Sequence, residues 1–179
     1  EEGALYVGCS GGRNTLAKWK LATDAIPTGY APAMVIVKGL KGGHSGLEID
    51  KGRGNSLKLL NRMLLELTKA GVRLCCLEGG NKSNAIPREA EALVYVPTKK
   101  LNQVSATVSQ YHSILKAEMQ NVEPDLAISM EEVKGKKKGR VLKKALQKRL
   151  LMTISALPHG VVKMSADIPG LVETSTNVA

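Results

Sequence analysis

Residues 72–98 read VRLCCLEGGNKSNAIPREAEALVYVPT, and they contain two apolar alternations separated by a turn. Every second residue from Val72 to Cys76 is apolar, and a second alternation runs over Ala90–Val96. The intervening Gly79–Asn84 is rich in the residues that turns prefer. The stretch therefore predicts two consecutive strands joined as a β-hairpin.

Helical periodicity lies on both sides of this hairpin. Apolar residues recur there at intervals of three and four positions, at Leu57, Leu60, Leu64 and Leu67 and again at Leu101, Val104, Val108, Tyr111 and Leu115. Short apolar strands are predicted at Ala33–Val37 and Leu126–Met130. The order over residues 33–132 is thus βαββαβ. It predicts an α+β, ferredoxin-like fold, an antiparallel sheet with both helices on one face.

The flanking segments add elements to what we expect to be a single domain over residues 1–179. The N-terminal extension, 1–32, contains strand-like runs at Leu5–Gly8 and Leu16–Ala22. The C-terminal part, 133–179, contains a predicted helix and then a strand, marked by Leu142, Leu146, Leu150 and Thr153 and by Leu171–Val178. No turn or cap follows that strand, so we expect its pairing partner to lie outside the chain. The first residue is not Met, which indicates a segment of a longer protein.

Composition narrows the class of protein. A chain of 179 residues that is 43% hydrophobic can bury a core. No run reaches the roughly 18 apolar residues of a membrane span, and the N-terminus lacks the pattern of a signal peptide. The three cysteines, Cys9, Cys75 and Cys76, do not have metal-site spacing. We therefore expect reduced core thiols in a cytoplasmic protein with no membrane partner.

Positive charge raises the possibility of nucleic-acid binding. The formal net charge is +10, but much of the excess falls within the segment Lys134–Arg149, as expected for one loop and one solvated helix face. A ferredoxin-like RNA-recognition module needs stacking aromatics on its central strands. The predicted central strand offers only Tyr95, and the chain has no Phe. Nucleic acid is therefore the less favoured partner.

Two turns carry the residues that best fit ligand contact. Residues 39–46 read GLKGGHSG and residues 84–90 read NAIPREA. They place His44, Asn84 and Arg88 next to apolar strands, where binding groups are commonly found. The sequence has no H-E-x-x-H motif, no C-x-x-C pair and no run from which a Ser/His/Asp centre could be built. We therefore expect no metal ligands here, and a domain that donates residues to a site assembled elsewhere.

These motifs resemble a known family. Besides the two turns, the matching stretches are EEGALYVGCSGG at 1–12, Gly-x-Gly-Asn at 52–55 and GLVETSTN at 170–177. In order and spacing they resemble the aminoacyl-histidine dipeptidases, also called cytosolic nonspecific dipeptidases, which are two-zinc metallopeptidases. The similarity covers essentially the whole chain. The resemblance implies that this chain is most of the lid, or dimerisation, domain, which in such enzymes is inserted into a catalytic domain.

The resemblance implies a role for each site residue. His44 matches the lid histidine that hydrogen-bonds the oxyanion of the tetrahedral intermediate, in related dimeric enzymes in the active site of the partner subunit. Asn84 matches a substrate-contacting asparagine, and Arg88 is a further candidate for substrate binding. Both zinc ions would be held by the catalytic domain, outside this chain. The implied partners are a dipeptide, often Xaa-His, that catalytic domain and a second subunit.

Other interpretations of the same residues remain open. The chain can also be an autonomous dimerisation domain or a nucleic-acid-binding α+β module. Asn84 on its own is typical of a turn residue that bonds its own backbone. His112, on the second predicted helix, and His159, after a proline, are expected to be structural. Ser83 stands where the family often has Arg, which leaves the preferred dipeptide open.

Overall fold

The computed structural model describes Gly3, Leu5 and residues 11–133 and 139–179. Most of the predicted strand Leu5–Gly8, together with Cys9 and residues 134–138 of the basic segment, lies outside the described residues. The described residues form ten strands and three α-helices. The strands are β1 (Thr23–Ala25), β2 (Tyr30–Lys38), β3 (Gly43–His44), β4 (Arg73–Gly79), β5 (Ala85–Ile86), β6 (Ala90–Pro97), β7 (Ala127–Glu132), β8 (Arg140–Leu142), β9 (Gly160–Met164) and β10 (Val172–Thr176), and the helices are α1 (Ser56–Lys69), α2 (Leu101–Met119) and α3 (Lys144–Ala156).

The main sheet confirms the predicted fold class. Its four strands lie in the order β4-β6-β2-β7, and every neighbouring pair is antiparallel. Val35 of β2 is opposite Ala92 on one side and Met130 on the other. With α1 after β2 and α2 after β6, the order is the predicted βαββαβ arrangement.

The core lies between this sheet and the helices. Alternate residues of β2 and β6 are fully buried on the helix-facing side, namely Ala33, Val35, Val37, Ala92, Val94 and Val96. They pack in one cluster with the predicted helical stripes, represented by Leu60, Leu67, Val104 and Leu115. Asn55 begins α1 by accepting the backbone N–H of Lys58 at 3.1 Å. Period-two strands and helical stripes therefore bury one common apolar layer.

A β-bulge changes the predicted pattern of β4. The register shifts between Leu74, opposite Val94, and Cys76, opposite Leu93, so one extra residue enters the strand. After the bulge the two faces exchange, and Leu77 rather than Cys76 packs against the core. Cys75 is half-buried and Cys76 is exposed. The expectation of core thiols at this pair is therefore wrong.

The flanking segments differ from the prediction in two places. Residues 16–22 are exposed and form no strand. The last of them, Ala22, accepts the backbone N–H of Lys143 at 2.8 Å. The strand that the structure has nearby is β1, which pairs with β8. The predicted C-terminal helix is present as α3, but Leu142 belongs to β8 instead.

The expected position of the last strand is correct, but its expected partner is not. β10 forms an antiparallel pair with β9, with Val172 opposite Met164 and Thr176 opposite Gly160. β9 was not predicted from the sequence, because its apolar residues do not alternate regularly with polar ones. In the structure its valines and methionine are largely exposed. The backbone groups along one edge of β10 are thus paired within the chain.

Gln147 attaches α3 to the edge of the main sheet. Its buried side chain accepts the backbone N–H of Leu74 at 2.9 Å and donates to the carbonyl of Val72 at 3.0 Å. It also donates to the hydroxyl of Thr68 at 3.0 Å. An unpaired sheet edge exposes backbone groups that other chains can pair with, and here a side chain occupies part of that edge.

We expect Gln147→Leu to lower the free energy of unfolding by about 1–3 kcal/mol, because it leaves buried backbone groups of Val72 and Leu74 without partners. Urea unfolding monitored by circular dichroism measures this change. Gln103→Leu, at an exposed position of α2, is the matched control and should change stability by no more than about 0.5 kcal/mol. Equal stability of both variants would show that the contact contributes nothing.

Candidate functional site

The two polar turns singled out in the sequence lie side by side. β3 and β5 pair in antiparallel fashion, with Gly43 opposite Ile86 and His44 opposite Ala85. The backbone N–H of Ser45 also donates to the carbonyl of Asn84 at 3.0 Å. Turns about forty residues apart in the chain thus form one polar surface. Residues 41–54 are called the His44 loop below.

The imidazole of His44 is held by its own turn. Nδ1 accepts the backbone N–H groups of Gly46 at 3.0 Å and Leu47 at 3.2 Å. Because Nδ1 acts as an acceptor, the neutral ring carries its proton on Nε2. A Cβ at position 46 would lie 3.2 Å from Cε1 of the ring, a tight contact that a small shift of the ring would have to relieve. The side chain is exposed, so it offers an Nε2–H donor at the surface.

A carboxylate holds the backbone of the same residue. Glu48 Oε2 accepts the N–H of His44 at 2.9 Å, and Glu48 Oε1 pairs with Arg53 Nη2 at 2.6 Å. Arg53 also donates to the carbonyl of Gly42. The hydrogen bond from His44, together with Arg53, holds the pKa of Glu48 below its ordinary value of 4.5. Sequence reasoning missed both residues, although opposite charges in a glycine-rich loop are a usable signal.

Arg88 contributes to the same surface. Its aliphatic stem lies over Gly42, which has a φ of +63°. A Cβ at position 42 would overlap the Cγ of Arg88, so both the backbone conformation and the contact require glycine. Arg88 is exposed and places a positive charge beside the His44 loop.

The turn that carries Asn84 is held from the C-terminal strand. Asn84 is exposed at the tip of the turn, and its backbone carbonyl accepts the N–H of Ser45. Asn177 Nδ2 donates to the carbonyl of Ala85 at 2.8 Å and to that of Ser83 at 3.3 Å, on either side of Asn84. Asn177 belongs to the motif at residues 170–177, but its contact with the Asn84 turn could not be predicted from the sequence.

The other two histidines lie elsewhere. His112 lies on α2, and its Nε2 is 3.4 Å from the carbonyl of Leu126. His159 Nδ1 is 3.2 Å from Asn55 Nδ2, which also donates to the carbonyl of Val178 at 2.7 Å. Burial, and then the nearby ammonium of Lys58, lowers the pKa of His159 below its ordinary value of 6.5.

The described ranges contain neither a cluster of metal ligands nor a membrane-spanning helix. Within residues 11–133 and 139–179, together with Gly3 and Leu5, no three His, Cys, Asp or Glu side chains lie close enough to share a metal ion. Nor does any helix in that part of the chain combine the length and apolar character needed to cross a bilayer.

The polar surface formed by β3 and β5 falls inside a recognised domain. Residues 35–123 match the family model described as the peptidase dimerisation domain. This chain carries a peptidase dimerisation domain. His44, Asn84 and Arg88 all lie within the matched range of that domain, whereas Asn177 lies beyond it.

Two relatives extend the match over most of the chain. The chain is 38% identical over 179 residues to the cytosol non-specific dipeptidase of Escherichia coli (strain K12), covering 99% of this chain and 36% of the relative. The crystal structure of aminoacylhistidine dipeptidase from Vibrio alginolyticus superposes with a TM-score of 0.85 and 38% identity, over 89% of this chain and 32% of that one. The peptidase dimerisation domain and its flanks thus span about a third of the length of each relative.

The lowered pKa of His159 predicts a pH-dependent stability. The unfolded chain binds a proton near pH 6.5, whereas the folded chain binds it only at lower pH. The contribution of neutral His159 to the free energy of unfolding is therefore fully present above about pH 6.5. It is lost as the pH falls from there through the folded pKa, by at most about 1.4 kcal/mol per pH unit. We expect His159→Gln to lose less stability than wild type between about pH 7.5 and pH 5, as measured by urea unfolding. Identical pH profiles for the two proteins would contradict this.

Proposed function

We propose that residues 1–179, with a core at 33–132, are the lid and dimerisation domain of a metallodipeptidase. In this proposal the chain supplies substrate and transition-state contacts to an active site whose chemistry resides in a separate catalytic domain. The peptidase dimerisation domain over residues 35–123 and the similarity to two dipeptidases support it. The single observation on which it rests most heavily is the geometry of His44.

His44 has the properties of a transition-state hydrogen-bond donor. Its Nδ1 is occupied by the N–H groups of Gly46 and Leu47, so the donor is Nε2–H and its orientation is fixed before a substrate binds. Attack on a peptide carbonyl places negative charge on the carbonyl oxygen. A fixed donor near that oxygen stabilises the charge as it develops, by roughly 3–4 kcal/mol in known enzymes.

Asn84 and Arg88 fit the binding of a small peptide beside this donor. In the described part of the chain the Asn84 side chain makes no hydrogen bond to its own turn, which favours a ligand-contacting role over the capping role that isolated turn asparagines usually have. Arg88 adds a positive charge suited to a carboxylate. We propose that they contact a dipeptide, in many cases one with histidine at its C-terminal position.

The remaining parts of the site belong to other segments in this proposal. In this proposal the two zinc ions implied by the resemblance are bound by the catalytic domain of the same polypeptide, outside this chain. The similarity to a cytosol dipeptidase supports a cytoplasmic location, and the dimerisation domain supports a homodimer in which His44 serves the active site of either its own or the partner subunit.

The alternative of a nucleic-acid-binding module has less support. Tyr95, the aromatic on the central strand β6, is only 3% exposed, so its ring is not available for base stacking. An autonomous dimerisation domain remains compatible with the family match. It would not explain why the His44 ring is held in one tautomer at the surface.

His44→Ala in the full-length enzyme tests the proposal. We expect kcat to fall at least about a hundredfold with a smaller change in KM, since the lost interaction forms mainly in the transition state. Metal content and dimer size should stay unchanged. His112→Ala, which removes a histidine outside the polar surface, should stay within a few-fold of wild type. If His44→Ala hydrolysed dipeptides as fast as this control, His44 would be a turn residue only.

A further inference from the structure

A buried carboxylate lies at the two ends of the His44 loop. Glu123 is fully buried at the turn that follows α2. Its Oε2 accepts the backbone N–H of Lys41 at 2.8 Å, and its Oε1 accepts that of Gly54 at 2.9 Å. Lys41 and Gly54 are the first and last residues of the loop that carries His44. One side chain thus joins both ends of the loop.

The position of this carboxylate is itself fixed. The backbone N–H of Glu123 donates to the carbonyl of Met119 at 2.7 Å, and its carbonyl accepts the N–H of Leu126 at 3.2 Å. Burying a carboxylate is unfavourable unless hydrogen bonds compensate for its lost hydration. Here the backbone N–H groups of Lys41 and Gly54 supply those bonds, so moving either end of the loop would leave a buried oxygen without a partner.

A close backbone approach fixes the same junction. Gly39, just before the His44 loop, has a φ of +82°, and a Cβ at this position would overlap the carbonyl oxygen of Asp125. The glycine-rich turn therefore lies directly against the turn that contains Glu123. The adjacent Leu40 is 4% exposed and belongs to the core cluster.

We propose that Glu123 is a positioning residue for His44. By binding both ends of the His44 loop to the turn that follows α2, its carboxylate keeps the loop at one length and orientation, and thereby fixes where the Nε2–H of His44 is presented. This inference rests on the proposed function of His44 as a transition-state donor. Displacement of a catalytic group by about 1 Å can slow a reaction on the order of a hundredfold, so a residue that never touches substrate can control the rate.

A double-mutant cycle on the full-length enzyme tests this role. Glu123→Gln keeps the size of the side chain but turns an NH₂ group toward one of the two backbone N–H donors. We expect kcat to fall about 10- to 100-fold with KM within about threefold of wild type. Backbone amides of residues 41–54 should exchange hydrogen faster. In the His44→Ala background, the same substitution should cause no further loss of kcat, because the two residues act through one interaction.

Glu118→Gln is the matched control. Glu118 lies on α2 five positions before Glu123, and its half-exposed side chain pairs with Arg62 at 2.7 Å. It should leave both kcat and the exchange of residues 41–54 unchanged. Circular dichroism and dimer size report whether each variant is folded.

The outcomes separate the two proposals. If His44→Ala alone has no effect on kcat, the proposed function fails, and the positioning role fails with it. If His44→Ala lowers kcat but the effect of Glu123→Gln is absent or multiplies with it, only the positioning role is overturned. Should Glu123→Gln not fold, Glu123→Asp, whose shorter side chain cannot reach both amides, is measured by the same criteria. If neither variant folds, Glu123 is a general fold determinant and the proposal is wrong.

Discussion

Two strands of two residues each, β3 and β5, hold together turns that are far apart in the sequence. Their pairing sets His44 opposite Ala85 and brings the Asn84 turn against the His44 loop. Such a short ladder has little stability by itself, since isolated two-stranded pairs are marginal in water. It persists because each side has a further attachment. Glu123 binds the loop to the turn after α2, and Asn177 binds the Asn84 turn to the segment after β10. The polar surface therefore depends on contacts from the turn after α2 and from the C-terminal segment after β10.

The main fold was predictable because its signal is local. Leucines at three- and four-residue intervals and alternating apolar residues specify α1, α2, β2 and β6 without knowledge of distant contacts. The prediction failed where a single residue changes the register. The bulge after Leu74 reverses the faces of β4, and no feature of the pair Cys75–Cys76 indicates it. β9 was missed for a related reason, because an exposed strand has no apolar face to reveal its period.

The candidate site was predictable in its residues but not in its supports. Glycine-rich and proline-containing turns drew attention to His44 and Asn84, since such turns hold side chains in defined places. The groups that hold them, Glu123 and Asn177, are separated from them by many residues. Glu123 lies in no motif, and the motif that contains Asn177 gives no indication of its contact with the Asn84 turn. The side chain of each binds backbone atoms of another segment. Because any residue provides such backbone atoms, the sequence of that segment gives no indication of the contact. The contact made by Glu48 could have been predicted, because Glu48 lies within the His44 loop close to its partners His44 and Arg53.

The two ring nitrogens of His44 have different roles. One nitrogen is fixed by the backbone of its own turn, and the other is left as a donor at the surface. The most direct test is a crystal structure of the full-length enzyme with a phosphinic dipeptide analogue, which imitates the tetrahedral intermediate. We expect a distance of about 2.7–3.1 Å between Nε2 of a His44 and a phosphinyl oxygen, with Nδ1 still bound to Gly46. A closed complex in which every His44 remains remote from that oxygen would contradict it.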